Sequence, residues 1–337
     1  MQRRFVDYLI ISLKGIAMGA ADAVPGVSGG TIAFISGIYE ELIATISNVN
    51  LKLIKIFRQE GFMAFWNALN GNFITALLAG IIISFVSFMR LAKYLLEYHP
   101  VLIWSFFFGL IIASIYFVGK QITKWNLATI ISIGIGGFVA YYITTIPSLA
   151  SNDNPLFLFF AGAIAICAMI LPGISGSFIL VILGAYKTLS DAIHDIDVKK
   201  ITLFVGGAVI GLLSFSRVLK WLFKHYHNTT LALLTGFIIG SLNKVWPWKK
   251  TISVLNETTG EVQLLSEITN IGSLSIFQQQ KNDFQTYKTV LEESILPFHY
   301  SELNNYLVKD YLLTALALML VGFLTIFILE KIGSKKS

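Results

Sequence analysis

The chain has 337 residues, of which 55% are hydrophobic and 13% charged, and its mean hydropathy is +0.72. A soluble domain carries about 25% charged residues, so the composition excludes a soluble protein and also a soluble domain on one anchor. The net charge of +6 comes from lysines and arginines at the ends of apolar runs, the pattern of the positive-inside rule, and does not indicate nucleic-acid binding.

In chain order, Arg3 and Arg4 precede an apolar stretch with no small-x-small cleavage site at the right distance. Met1 to Lys14 is therefore expected to lead from the cytoplasm into the membrane. From about Gly15 to Ile46 the chain is apolar but broken at Pro25-Gly26-Val27-Ser28-Gly29-Gly30. Residues 47–72 mix Lys52, Lys55 and Arg58 with apolar residues and Trp66, as an interfacial amphipathic segment on the cytoplasmic face would. Spans are predicted at about 73–95, 101–118 and 127–146, and the polar turn from Ile146-Pro147 to Asn154-Pro155 is expected outside.

The second half repeats this order. Residues 154–186 carry no charge and are broken at Pro172-Gly173-Ile174-Ser175-Gly176-Ser177. A helix needs only about 20 residues to cross the hydrocarbon core, so a run of 33 residues broken at its centre fits a re-entrant pair of half-helices. GVSGGTIAFISGIYEELI matches GISGSFILVILGAYKTLS, which sets Gly37 over Gly184 and Tyr39 over Tyr186. GIIISFVSFMRLAKYL matches GAVIGLLSFSRVLKWL, which sets Arg90 over Arg217, and Gly109 falls over Gly236. Spans follow at about 201–222, 229–245 and 311–329. The polar stretch between about Pro247 and Lys309 is an insertion, expected as a small external lobe or a flexible loop.

The predicted fold is thus an all-α polytopic membrane protein of two inverted repeats, each a re-entrant hairpin plus three crossings. The divisions are 1–146, 147–246, the insertion 247–309, and 310–337 for the last span and cytoplasmic tail. An odd number of crossings per half inverts the second half. With the N-terminus inside, Lys120, Lys124, Lys220, Lys224, Lys331, Lys335 and Lys336 all fall inside; Lys199 and Lys200 do not, and lie among Asp191, Asp195 and Asp197.

A half-helix that begins within the membrane exposes unpaired N–H groups and the positive end of its dipole, which suits an anion such as phosphate. Glycine lets a ligand approach the backbone and hydroxyls add donors. The candidate binding residues are Pro25, Gly26, Ser28, Gly29, Gly30 and Thr31 in the first tip, and Pro172, Gly173, Ser175, Gly176 and Ser177 in the second. The alternative is a pair of packing kinks that let helices approach closely. Arg90 and Arg217, at matched places, are either a phosphate-binding pair or snorkelling anchors. Asp22, three residues before Pro25, is a candidate proton carrier or a helix cap. Glu40 is the other candidate for coupling, or simply interfacial. Tyr39 and Tyr186 fit interface anchoring as well as site lining. No zinc helix, nucleophile elbow, P-loop or metal-spaced Cys/His cluster is present; no cofactor and no metal are expected, and no ATP-driven machine.

The stretch GIAMGAADAVPGVSGGTIAFISGIYEELI resembles the signature of the bacterial polyprenyl-phosphate transporters, long catalogued as a domain of unknown function. The resemblance covers nearly the whole chain except the insertion at 247–309. It implies a multi-pass protein of the bacterial cytoplasmic membrane, with both termini inside, that is not an enzyme. It further implies that undecaprenyl phosphate, the lipid carrier of cell-wall precursors, is returned across the membrane for reuse. Inward movement of a charged lipid suggests coupling to a proton or another cation. One alternative is an enzyme like the undecaprenyl-pyrophosphate phosphatases, whose PGxSRS loop carries an arginine. Gly29 and Gly176 stand in its place, and the only acid between Lys14 and Pro25 is Asp22. The other is a small-anion carrier.

Overall fold

The computed structural model describes residues 3–22, 24, 28–146, 154–304 and 308–334. Pro25 and Gly26, the turn at 147–153, and Lys335 and Lys336 lie outside the described residues.

The first half opens with α1 (Phe5–Asp22), followed by two short helices, α2 (Gly29–Ile35) and α3 (Tyr39–Ser47). Gly37, with φ +73°, makes the reversal between them, a backbone conformation that costs glycine little. The amphipathic α4 (Leu51–Ala68) is kinked at Gly61 and meets α5 (Gly71–Tyr98) at a bend of 51°. Pro100 opens α6 (Pro100–Lys120) at a position where its missing N–H costs nothing. A capping box between Asn126 and Thr129 opens α7 (Leu127–Thr145).

The second half begins with α8 (Pro155–Ile170), capped by Asn154, then α9 (Gly176–Ile182) and α10 (Ala185–His194). Gly184, at φ +68°, turns the chain between α9 and α10 as Gly37 does in the first half. The helical hairpin therefore runs on to His194, beyond the uncharged stretch that ends at Tyr186. Helix α11 (Val198–Val245) has 48 residues and breaks its geometry at Tyr226. At 1.5 Å per residue it is about 72 Å long, more than twice the roughly 30 Å hydrocarbon core, so by length it accommodates two crossings.

Among the described residues, four helices are long and apolar enough to cross a membrane: α6, α7, α11 and the Tyr311–Ile328 portion of the last helix, α15 (Val308–Ser334). The bent pair α4 and α5 makes a fifth. The chain is thus a polytopic, mostly helical membrane protein. The departure from an all-α chain is confined to the insertion. It holds a three-stranded antiparallel sheet of order β2-β1-β3, built from β1 (Lys249–Asn256), β2 (Val262–Leu264) and β3 (Tyr287–Ser294). Helices α12 (Leu265–Ile268), α13 (Leu274–Lys281) and α14 (Pro297–Asn304) complete a folded lobe, with Val254, Leu265 and Leu274 as its core.

Four helix seams use one device. Between α1 and α5, Gly15 rests on the Leu77 carbonyl and Gly80 on the Ser12 carbonyl. Between α8 and α11, Gly162 rests on Phe204 and Gly207 on Phe159. Between α6 and α15, Gly109 rests on Met319 and Gly322 on Phe106; between α7 and α11, Gly236 rests on Ile133 and Gly136 on Leu233. In every seam each helix offers a glycine and the carbonyl three residues before it, and a Cβ at any of these glycines would collide with the facing oxygen. Small residues that admit such close backbone approach drive helix association where no hydrophobic effect operates.

Candidate functional site

The two broken hairpins meet. Ser28 is the N-cap of α2, its Oγ accepting from the Gly30 N–H at 3.1 Å and donating to the Met169 carbonyl at 3.3 Å. The buried Thr31 Oγ1 accepts from the Gly173 N–H at 2.9 Å. The Tyr39 hydroxyl, fully buried, donates to the Ile170 carbonyl at 3.1 Å. A Cβ on Gly30 would stand 2.7 Å from the Ile170 oxygen, so only glycine allows α2 to sit against the end of α8. Orphan carbonyls where α8 ends inside the protein are satisfied by the other half of the chain, which is what a helix end at depth requires.

The two tips are not equivalent. In the first, Asp22 Oδ1 accepts from the Gly29 N–H at 2.6 Å, and Ser28 and Thr31 are buried, so the start of α2 is satisfied internally. In the second, Ser175 makes no side-chain cap; its Oγ lies 2.9 Å from the Ser177 Oγ. Ser175 is half-buried and Ser177 exposed, while Pro172 and Gly176 are buried. Gly173 adopts φ +86° with its Cα against the Phe237 carbonyl. A small pocket opens at this tip, lined by Gly173, Ile174, Ser175 and Phe178, by Ala140, Ile143 and Thr144 of α7, and by Lys244 of α11.

The remaining candidates lie away from the tips. Arg217 is exposed and donates to the Val49 carbonyl at 3.0 Å, just past the end of α3, beside a 2.9 Å bond from Lys220 to Asn48. Arg90 is exposed on α5. Ser84 faces Gly19, three residues before the end of α1, and Arg90 lies six residues, about 9 Å, further along α5. Among the described residues no hydrogen bond joins either arginine to a tip. Glu40 is exposed and pairs with His227 at 3.1 Å, while its neighbour Glu41 forms a fork with Arg3 at 2.6 Å. Tyr186, unlike Tyr39, is exposed. No cluster of His, Cys, Asp and Glu able to hold a metal occurs among the described residues.

The sequence reading missed two lysines. Lys14 donates to the Ser36 carbonyl at 2.6 Å and so caps the end of α2. Lys244 lies in the second-tip cavity with its Nζ 4.5 Å from the centre of the Phe178 ring. It is 3.8 Å from Glu292 of β3, and the same carboxylate is 3.4 Å from the buried Lys249. Lys249 also donates to the Lys244 carbonyl at 2.6 Å and stands 4.3 Å over Trp104. Burial pulls the Lys249 ammonium down to about 8, against the opposing pull of Glu292. Desolvation pushes the Glu292 carboxyl up, but Lys249 and Lys244 outweigh it and hold the group below its ordinary value. In sequence, Lys244 reads as one more basic residue at a span end, and its partner lies far downstream with no periodic trace.

Residues 18–263 match the model of a family described as undecaprenyl phosphate translocase-like. A polyprenyl-phosphate transporter of Vibrio cholerae serotype O1 is 39% identical over 335 residues, covering 99% of this chain and 100% of its own. A polyprenyl-phosphate transporter of Staphylococcus aureus is 34% identical over 262 residues, covering 72% of this chain and 88% of its own. No solved structure matches the chain. The matched region holds both tips, Arg90, Arg217 and Lys244, and the chain belongs to the undecaprenyl phosphate translocase-like family.

Proposed function

We propose that the chain carries polyprenyl phosphate, undecaprenyl phosphate in particular, inward across the bacterial cytoplasmic membrane for reuse of the carrier lipid. The observation that carries this reading is the meeting of the two broken hairpins, where the Gly173 N–H bonds to Thr31 and the Ser28 and Tyr39 hydroxyls bond to carbonyls at the end of α8. Backbone N–H groups and hydroxyls converging in this way suit an anion such as a phosphate. The phosphate sits at the tips and the apolar tail stays in lipid, since a polar pore cannot solvate a long polyprenyl chain.

The same reading takes the halves as inverted repeats with six crossings and two re-entrant hairpins, both termini cytoplasmic. The matched glycine seams support it: α6 and the second part of α11 each clasp the third helix of the other half through the same glycine and carbonyl pattern. Arg90 and Arg217 then flank the tips on opposite sides and receive the headgroup as access alternates. Asp22 and Glu40 are the groups available for proton or cation coupling. A phosphatase would need the loop arginine that Gly29 and Gly176 replace.

The test is binding by the purified protein. Undecaprenyl phosphate is expected to bind at least tenfold more tightly than inorganic phosphate, a difference of about 1.4 kcal/mol or more. Equal affinities would favour a small-anion carrier instead.

A further inference from the structure

The cavity at the second tip has a cationic wall supplied by an ion cluster that the lobe completes. Lys244 and Lys249 share the single carboxylate of Glu292, at 3.8 and 3.4 Å. Two ammoniums against one carboxylate leave a positive charge unmatched in this cluster. Lys249 cannot turn elsewhere: it is buried, bonded to the Lys244 carbonyl and set over Trp104. Lys244 is the member that reaches the cavity, where Ser175 and Thr144 are the other polar side chains. The lobe fixes this wall at a second point, since the Ser294 hydroxyl donates to Asn243 Oδ1 at 2.8 Å and Asn243 donates to Thr144 Oγ1 at 3.0 Å.

We propose that Lys244 is a headgroup-binding residue of the second tip, and that the lobe, through Glu292 and Lys249, positions it to receive a phosphate monoester at the lobe-side mouth of the cavity. The inference rests on the transport reading above and extends it to the insertion, which that reading leaves without a role. A phosphate in the cavity accepts from Ser175 and from the Lys244 ammonium, and supplies the negative charge that the cluster lacks. Phe178 guides the lysine by holding its ammonium against the ring face, an attraction that yields readily to a full anion. Glu292 keeps Lys244 from snorkelling away while leaving its charge half-compensated, so the site attracts phosphate without trapping it.

The test uses the full chain in lipid nanodiscs, with undecaprenyl phosphate as ligand and inorganic phosphate as competitor. Lys244→Gln is expected to weaken lipid binding by about tenfold, the value of a charge-assisted hydrogen bond, while Lys244→Arg stays close to the parent protein. Glu292→Gln keeps a side-chain oxygen that still accepts from the lysines and holds Lys244 in place but removes the compensating charge, so it is expected to bind the lipid at least as tightly as the parent and to become more sensitive to inorganic phosphate. A purely structural ion pair predicts that Lys244→Gln and Glu292→Gln weaken binding together, and that outcome overturns the proposal. So does unchanged binding in Lys244→Gln. Amide exchange across β1 and β3 checks that each variant keeps its lobe; if Lys244→Gln loses it, Lys244→Met is put to the same binding criterion. Failure of the parent protein to bind undecaprenyl phosphate overturns the transport reading itself, and a bound parent with an indifferent Lys244→Gln overturns this inference alone.

Discussion

At the scale of single residues, the sharpest open contrast is between the tips and the arginines. Ser28, Thr31, Tyr39 and Gly173 are held by directional bonds to the opposite half of the chain, so their places are tightly specified. Arg217 is different: one N–H donates to the Val49 carbonyl, which leaves most of the planar fork free. A guanidinium that serves only as an anchor or helix cap can be replaced by an ammonium, which reaches the same carbonyl; one that clamps phosphate in two-point fashion cannot. Arg90→Lys and Arg217→Lys are therefore expected to lower transport about tenfold or more, the value of one lost charge-assisted bond, with insertion and folding intact. Lipid uptake into liposomes, normalised to folded protein, reads the difference. Near-normal uptake in both lysine variants would make the arginines anchors and leave the phosphate to the tips and Lys244.

At the scale of elements, the glycine seams matter more than any one helix. Each seam lets two backbones touch, and each has a counterpart in the other half of the chain, so on the proposed repeat matched substitutions carry matched costs. Gly109→Ala and Gly236→Ala both place a methyl against a facing carbonyl, of Met319 and Ile133 respectively. Each is expected to cost about 1–3 kcal/mol by overpacking, with the double variant near the sum because the seams are separate. Unequal costs, or a near-neutral Gly236→Ala, measured by thermal unfolding in detergent, would count against the repeat. The seams also explain what the sequence made legible. Apolar runs set off by polar turns mark the helices closely, as at 101–118 for α6 and 127–146 for α7. The duplicated Pro-Gly-x-Ser-Gly breaks mark the tips because a repeated irregularity is improbable without a use. The lobe sheet leaves a weaker trace: β1 is bulged near Thr251 to Ser253 and buries its residues without strict alternation. Contacts such as Tyr39 to Ile170 or Lys244 to Glu292 join residues far apart in the chain through polar atoms, and no local period records such a pairing.

At the scale of the whole molecule, the question is what drives a charged headgroup inward. Each negative charge moving against a negative-inside potential of 100 mV costs about 2.3 kcal/mol, and a phosphate monoester carries between one and two charges near neutral pH. The first tip offers a way to remove that cost. Asp22 Oδ1 holds the Gly29 N–H, one of the groups a phosphate at that tip would use. A carboxylate and a phosphate cannot share that donor without strong like-charge repulsion. On the coupled reading proposed above, a proton on Asp22 would remove the repulsion and weaken its hold on the N–H, and headgroup and proton would enter together. Second, the Glu40 and His227 pair is exposed and lies off this path. Proteoliposomes offered a fluorescent short-chain polyprenyl phosphate from the outside are therefore expected to take it up faster when the outside is acidic. Asp22→Asn keeps an oxygen to accept the Gly29 bond but has nothing to protonate; its uptake is expected to lose the response to the pH gradient, while Glu40→Gln retains it. Uptake by the parent protein that ignores both pH gradient and potential would remove coupling altogether. An Asp22→Asn variant that responds like the parent would move the proton to another group.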